Sequence, residues 1–351
     1  MTYKEKINLF RKSITKNLFV KTINETNSVK KSIKDSSEIK RILIVRPNHR
    51  LGNQLLITPL LQEVIATFPD AKIDLFLKGN LGAILYKNYP EVNKIIALPR
   101  KHFKELLKYL GCWFYLRSHN YDLIINTVSY SSSGSIATKI TKSKYKIFGR
   151  IKDLNSTGYH DYLHNAKRPV YDFRENLKTL GLELSENSIP KINIRLDSKE
   201  LKKGADELFK LTGNAQKTIC LFTYATSEKK YSKEWWNNFY TTLKSEFQSY
   251  NIIEVLPVEN VSQLDFKISS YYSKDVREIA ALIANSNLFI GSDSGIMHLS
   301  NSTNTTTIGL FSVTDKKLYQ PYFNNSFGIN TNHKDIEAII NEIKLASFRS
   351  L

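Results

Sequence analysis

The stretch RILIVR (41–46), followed by the helix-like LLITPLLQEVIATF (55–68) and then KIDLFL (72–77), decides the fold. Short, continuously apolar β-rich runs separated by helical stretches indicate a parallel sheet covered on both faces. The rhythm continues outward from this segment. A second helical stretch leads to KIIAL (94–98), a helical run from His102 to Arg117 precedes DLIIN (122–126), and YKIF (145–148) reads as a further strand. From Gly149 to Ile194 the chain is more polar, with a helical stretch at Tyr171 to Leu180 and then Pro190, and the interdomain connection is expected there. The alternation then restarts with TICLFTY (218–224), helical KEWWNNFYTTLKSEF (233–247), NIIEVL (251–256), helical VREIAALIANS (276–286), NLFIG (287–291) and TTTIGLF (305–311). Two doubly wound α/β domains follow, with ligand expected between them at the carboxyl ends of both sheets.

Composition narrows the function. The chain has 351 residues, a formal net charge of +18 and 41% hydrophobic residues, a globular balance. Cys112 and Cys220 are far apart in sequence and have no neighbouring Cys for a zinc knuckle or redox pair, so a reducing, cytoplasmic setting is expected. Lys, Asn or Asp interrupts every apolar run before the roughly 20 residues a spanning helix needs. The first twenty residues lack the apolar middle and cleavage site of a secretory signal. Residues 1–40 form a basic leader, in which Ile7, Phe10, Ile14 and Leu18 recur at helical spacing. Such a segment suits either an anionic membrane surface, here the inner face of the plasma membrane, or packing on its own protein. Nucleic acid is set aside as a partner, because no DNA- or RNA-reading motif accompanies the charge.

Three segments carry candidate chemistry. The loop after the first strand, Arg46-Pro-Asn-His49-Arg50-Leu-Gly52-Asn53, lies where ligand is expected, and its cationic character exceeds what a β-to-α turn needs. Gly291-Ser-Asp293-Ser294-Gly295-Ile-Met-His298 follows a strand and opens a helix, a geometry that suits either capping or a bound diphosphate. Thr223-Tyr-Ala-Thr226-Ser227-Glu-Lys229-Lys230 follows a strand too; its hydroxyls and Lys230 suit phosphate oxygens, with Lys229 and Lys233 read as solvated. Neither half carries G-x-G-x-x-G or G-x-x-x-x-G-K-[ST].

In order, RILIVR...LGNQLLITPLLQEVIATFPDAKIDLFL, YDLIIN, Lys230 with Trp235, and LIANSNLFIGSDSGIMHLSNSTNTTTIGLF resemble glycosyltransferase family 9, which contains the ADP-heptose:lipopolysaccharide heptosyltransferases. The resemblance runs over most of residues 41–325. It implies a GT-B architecture, two Rossmann-like doubly wound domains facing across a cleft: an acceptor-side domain at 41–185, a donor-binding domain at 186–335, and a C-terminal helix at 336–351 packing back on the first domain or at its own chain end. It also implies inverting, metal-independent transfer of a heptose or related sugar, from an ADP-heptose-like nucleotide sugar to lipopolysaccharide core or another surface glycan. No cofactor is implied beyond the donor substrate, and the acceptor would be lipid-linked or phosphorylated. By position, Thr226 and Lys230 would contact donor phosphates, Ser294 and Gly295 would supply hydroxyl and N–H groups, Asp293 would lie near the sugar, and His298 would line or brace the pocket.

Two positions depart from the family pattern. Where the family carries its acid-base Asp, directly after the Gly of the first loop, this chain has Asn53, which cannot accept a proton. Either His49 is the base, with Arg46, Arg50 and Gly52 in the acceptor-side loop, or another residue such as Asp122, His119, His160 or Asp161 serves, or the chain binds nucleotide sugar without turnover. Ile296 also replaces the usual Pro, a change of local packing.

Overall fold

The structure is a computed structural model and describes residues 32–101, 103–128, 131–149, 158–182 and 187–348. Most of the basic leader, including the Ile7 to Leu18 stripe, lies outside the described residues.

In chain order the first part runs β1 (Arg41–Val45), α1 (Leu51–Leu55), α2 (Thr58–Thr67), β2 (Lys72–Lys78), α3 (Leu81–Leu85), β3 (Val92–Leu98), α4 (Leu106–Ser118), β4 (Asn120–Asn126), α5 (Ser132–Ile140), β5 (Lys142–Phe148) and α6 (Arg168–Thr179). The second part runs α7 (Ser198–Thr212), β6 (Thr218–Phe222), α8 (Lys233–Glu246), β7 (Asn251–Val255), β8 (Ser270–Tyr271), α9 (Val276–Ala284), β9 (Leu288–Ser292), α10 (Gly295–Asn301), β10 (Thr306–Phe311), α11 (Lys316–Tyr319), β11 (Phe327–Asn330) and α12 (Ile336–Phe348). One sheet has the order β3-β2-β1-β4-β5 and the other β11-β10-β9-β6-β7-β8. Every strand pair in both is parallel.

Both sheets follow from strands buried on two faces: Ile42 to Val45 of β1 and all of β6 and β9 are buried. In the first sheet, Leu43, Val45, Phe76, Ile96 and Leu98 meet Leu116 of α4 and Ala137 of α5. In the second, Ile219, Leu221, Ile290 and Leu310 meet Trp236, Phe239 and Leu243 of α8. Each such Leu, Ile, Val or Phe contributes roughly 1.5–3 kcal/mol on burial.

Two expectations change and one is narrowed. The run at 55–68 is two helices, because Pro59 lacks an amide N–H and is tolerated only in the first turn of a new helix. Thr58 secures that break: its hydroxyl donates to the Leu55 carbonyl at 2.8 Å and accepts the Asn193 N–H at 3.0 Å. For the C-terminal helix, for which two placements stand open, Ile339, Ile340 and Ile343 of α12 complete the core under β6, β9 and β10. Finally, the chain divides into units of 1–49, 59–162 and 166–190, and of 50–58, 163–165 and 191–351, so α1 clusters with the second unit.

Candidate functional site

In the second unit the site grows from the carboxyl ends of β6 and β9. After β9, Asp293 is 7% exposed and forms an ion pair with Lys229. Ser294 caps α10, its hydroxyl accepting the Met297 N–H at 3.2 Å. Lys229 was expected to be solvated; instead the tight turn Ser227–Lys229, with Ser227 at φ 60°, brings its ammonium to Asp293. Lys230 lies over the Tyr224 ring, 5.7 Å from its centroid, and Thr226 and Lys230 are exposed. Lys233 pairs with Asp265 on the surface. Thr223 points away from the site into the fold, where it and Ser262 donate to the buried Glu254 carboxylate. Burial pushes that carboxyl up, against the pull of the two hydroxyls.

α1 lies directly against α10. A Cβ on Gly52 would sit 2.7 Å from Cδ2 of His298, and one on Gly295 would sit 3.1 Å from Cβ of Leu51. The two glycines therefore serve close helix approach. Asn53, next to Gly52, is half-buried in the same helix. The structure thus joins the first loop's Gly52-Asn53 to the Asp293-to-His298 motif. His298 is buried, and burial pushes its imidazole down to about 4, with Asp293 opposing and His164 and Lys229 assisting. It is neutral at pH 7. His164, which the sequence did not single out, is also buried; its Nε2 is 2.9 Å from the Gln320 carbonyl and its ring stands edge-on to Tyr322.

In the first unit, Arg46 is buried at the end of β1, its backbone N–H donating to the Phe76 carbonyl at 2.9 Å. His49 is exposed and, with Lys78, Arg100, Lys101 and Glu105, lines a cavity of about 520 Å³. Gly79, at φ 76°, has a backbone conformation that favours glycine, and a Cβ there would lie 3.2 Å from Cδ of Arg100. Arg50, also exposed, occupies the N-cap position of α1. The other base candidates sit elsewhere. Asp122 is near the amino end of β4, accepting the Lys40 and Arg41 N–H groups and pairing with Lys144 at 3.0 Å. His119 stacks on Tyr115 just before the same strand. Asp161 is taken up by Lys167 at 2.5 Å and the Tyr171 hydroxyl at 2.7 Å, and His160 is exposed.

Residues 273–340, from before α9 into α12, match the profile of Glycosyltransferase family 9 (heptosyltransferase). Lipopolysaccharide heptosyltransferase 1 of Campylobacter coli is 25% identical over 316 residues, 83% of this chain and 88% of its own. Over most of its length the chain is therefore similar to family 9 glycosyltransferases. Lipopolysaccharide heptosyltransferase 3 of Escherichia coli is 24% identical over 297 residues, covering 78% of this chain and 84% of its own. Among solved structures, the family 9 glycosyl transferase of Veillonella parvula DSM 2008 superposes with a TM-score of 0.70 at 17% identity, over 89% of this chain and 98% of that one. E. coli heptosyltransferase WaaC with ADP gives a TM-score of 0.66 at 16% identity, over 87% and 99%. The fold of the chain is α/β GT-B, built of two Rossmann-like units. Among the described residues no helix is long and apolar enough to cross a membrane, and no three His, Cys, Asp or Glu side chains cluster as a metal centre.

Proposed function

We propose that this glycosyltransferase moves a heptose or related sugar from an ADP-heptose-like donor to a lipid-linked or phosphorylated surface-glycan acceptor such as lipopolysaccharide core. The reading is carried by the packing of α1 on α10: Gly52 meets His298 and Gly295 at close range, so the family's acid-base position and its Asp-Ser-Gly segment share one small neighbourhood. Two unrelated β-to-α loops would not need paired glycines there. It is also supported by the names of the relatives, lipopolysaccharide heptosyltransferases, and by the relative solved with ADP.

In this reading Thr226 and Lys230 hold donor phosphates, and Ser294 and Gly295 present N–H groups at the start of α10. Lys229, paired with Asp293, holds that carboxylate in place beside the sugar. Transfer inverts the anomeric carbon: an acceptor oxygen forms the new C–O bond as the bond to the diphosphate breaks. The leaving charge is met by lysine ammonium and backbone N–H groups, fixed donors placed where that charge develops. A base must take the acceptor's proton. Asn53 cannot, so that role falls to His49, whose unperturbed pKa near 6.5 suits proton transfer at neutral pH. His298, neutral and buried, braces α1 against α10 and takes no proton.

Asn53 also favours a second reading, donor binding without turnover. The two separate by calorimetry with ADP-heptose followed by a transfer assay on lipopolysaccharide-core acceptors: donor binding with turnover supports the first, and donor binding with no turnover on any acceptor supports the second.

A further inference from the structure

Helix α4 is apolar on two opposite faces. Tyr109, Cys112, Trp113 and Leu116, spaced three and four apart, form the face packed on the first sheet's core. Leu107, Leu110 and Phe114, spaced three and four apart on the other side, are exposed, and so are Leu106 and the preceding Phe103. The exposures of Phe103, Leu107 and Phe114 are 91%, 86% and 74%. Soluble helices ordinarily turn polar residues outward, and an outward cluster of Leu and Phe at this density marks a contact surface.

The surrounding charge selects the partner. Arg100, Lys101, Lys104, Lys108 and Arg117 are all exposed and interleave with the apolar residues along the chain, against Glu105 alone, which is 3.4 Å from Lys108. Lys104 follows Phe103, Lys108 follows Leu107, and Arg117 lies one turn past Phe114. Apolar side chains set among lysines and arginines match the boundary between acyl chains and anionic headgroups, where Leu and Phe enter the hydrocarbon and the cations stay with the phosphates. A protein partner with an apolar groove would need no such excess of one charge. We propose that the outward face of α4 docks on an anionic phospholipid bilayer, inserting Phe103, Leu107, Leu110 and Phe114. This contact does not depend on which sugar is transferred, so either reading can fail without the other.

The test uses the full chain in flotation with phosphatidylcholine vesicles, with and without phosphatidylglycerol. The wild type is expected to float with the anionic vesicles and to partition about tenfold or more weakly without them. The pair Leu107→Asp and Phe114→Asp, both at exposed positions and so leaving the thermal midpoint unchanged, is expected to reduce partitioning about tenfold or more. Lys104→Glu with Lys108→Glu should abolish the preference for phosphatidylglycerol. A Leu107→Trp variant should shift its emission to the blue on vesicles and be quenched by brominated acyl chains. Absence of wild-type binding, wild-type partitioning by the Asp pair, or no quenching at position 107 would overturn the proposal. So would a wild-type dimer in sedimentation equilibrium that the Asp pair dissolves, which would assign this face to a second copy of the chain.

Discussion

Gly52 and His298, 246 positions apart, are so close that a single methyl on Gly52 would stand 2.7 Å from Cδ2 of the imidazole. The ring is buried and has little room to retreat. Gly52→Ala should therefore destabilise the protein by about 1–2 kcal/mol in urea unfolding, although Ala in a helix is otherwise favourable by about 1 kcal/mol. Gly295→Ala, whose nearest neighbour is a side-chain carbon at 3.1 Å, should cost less. A stable Gly52→Ala protein would mean that α1 and α10 do not pack this closely.

His298 makes stability depend on pH in a stated direction. Its folded value, about 4, lies below the ordinary 6.5, so the unfolded chain binds the extra proton first. The contribution is complete above pH 6.5 and is lost as pH falls from there towards 4, by about 3 kcal/mol at most. Urea midpoints measured between pH 7.5 and 5 should fall more steeply for the wild type than for His298→Gln. Parallel curves would place His298 in solvent.

Arg277 anchors the frame of the second unit. Its guanidinium makes two bonds to Glu200, at 2.6 and 2.7 Å, and donates to the Ile194 and Arg195 carbonyls at 3.1 and 2.9 Å. At 3% exposed, this is an ion pair whose breaking strands a carboxylate in low dielectric. Arg277→Met should cost about 3–5 kcal/mol, whereas Lys233→Met, which loses the exposed pair with Asp265, should cost less than 1 kcal/mol. Thermal and urea unfolding of the two variants checks the contrast.

How much of this was readable follows from which forces are local. β1, β2, β6 and β9 announced themselves because strands buried on both faces must be continuously apolar. β11, only Phe327–Asn330, is too short to show a period. Helix α7 was missed although Asp197 and Glu200 form a capping box at its start, a signal the sequence did carry. Which of Lys229 and Lys230 turns inward rests on one left-handed residue, Ser227, and residue type does not report that. His164 joins the site's surroundings through a carbonyl 156 positions away, and the packing of α1 on α10 joins loops from opposite ends of the chain. Neither leaves a mark in local pattern.

The assignment of proton transfer is tested by kinetics. His49→Gln should lower kcat by about 10²–10⁴ while leaving the donor's dissociation constant unchanged, and Asn53→Ala should change kcat far less. If Asn53→Ala alone abolishes turnover, the asparagine has an essential role that His49 does not share.

The second unit is proposed to hold a nucleoside diphosphate sugar at Thr226, Lys230, Ser294 and Gly295. Isothermal calorimetry of the full chain against ADP, UDP, GDP and CMP, repeated with Lys230→Ala, tests it most directly. Saturable one-to-one binding of one nucleoside diphosphate is expected, ADP before the others, weakened about tenfold or more by the substitution. No diphosphate binding up to millimolar concentration, or equal affinity in wild type and Lys230→Ala, would contradict it.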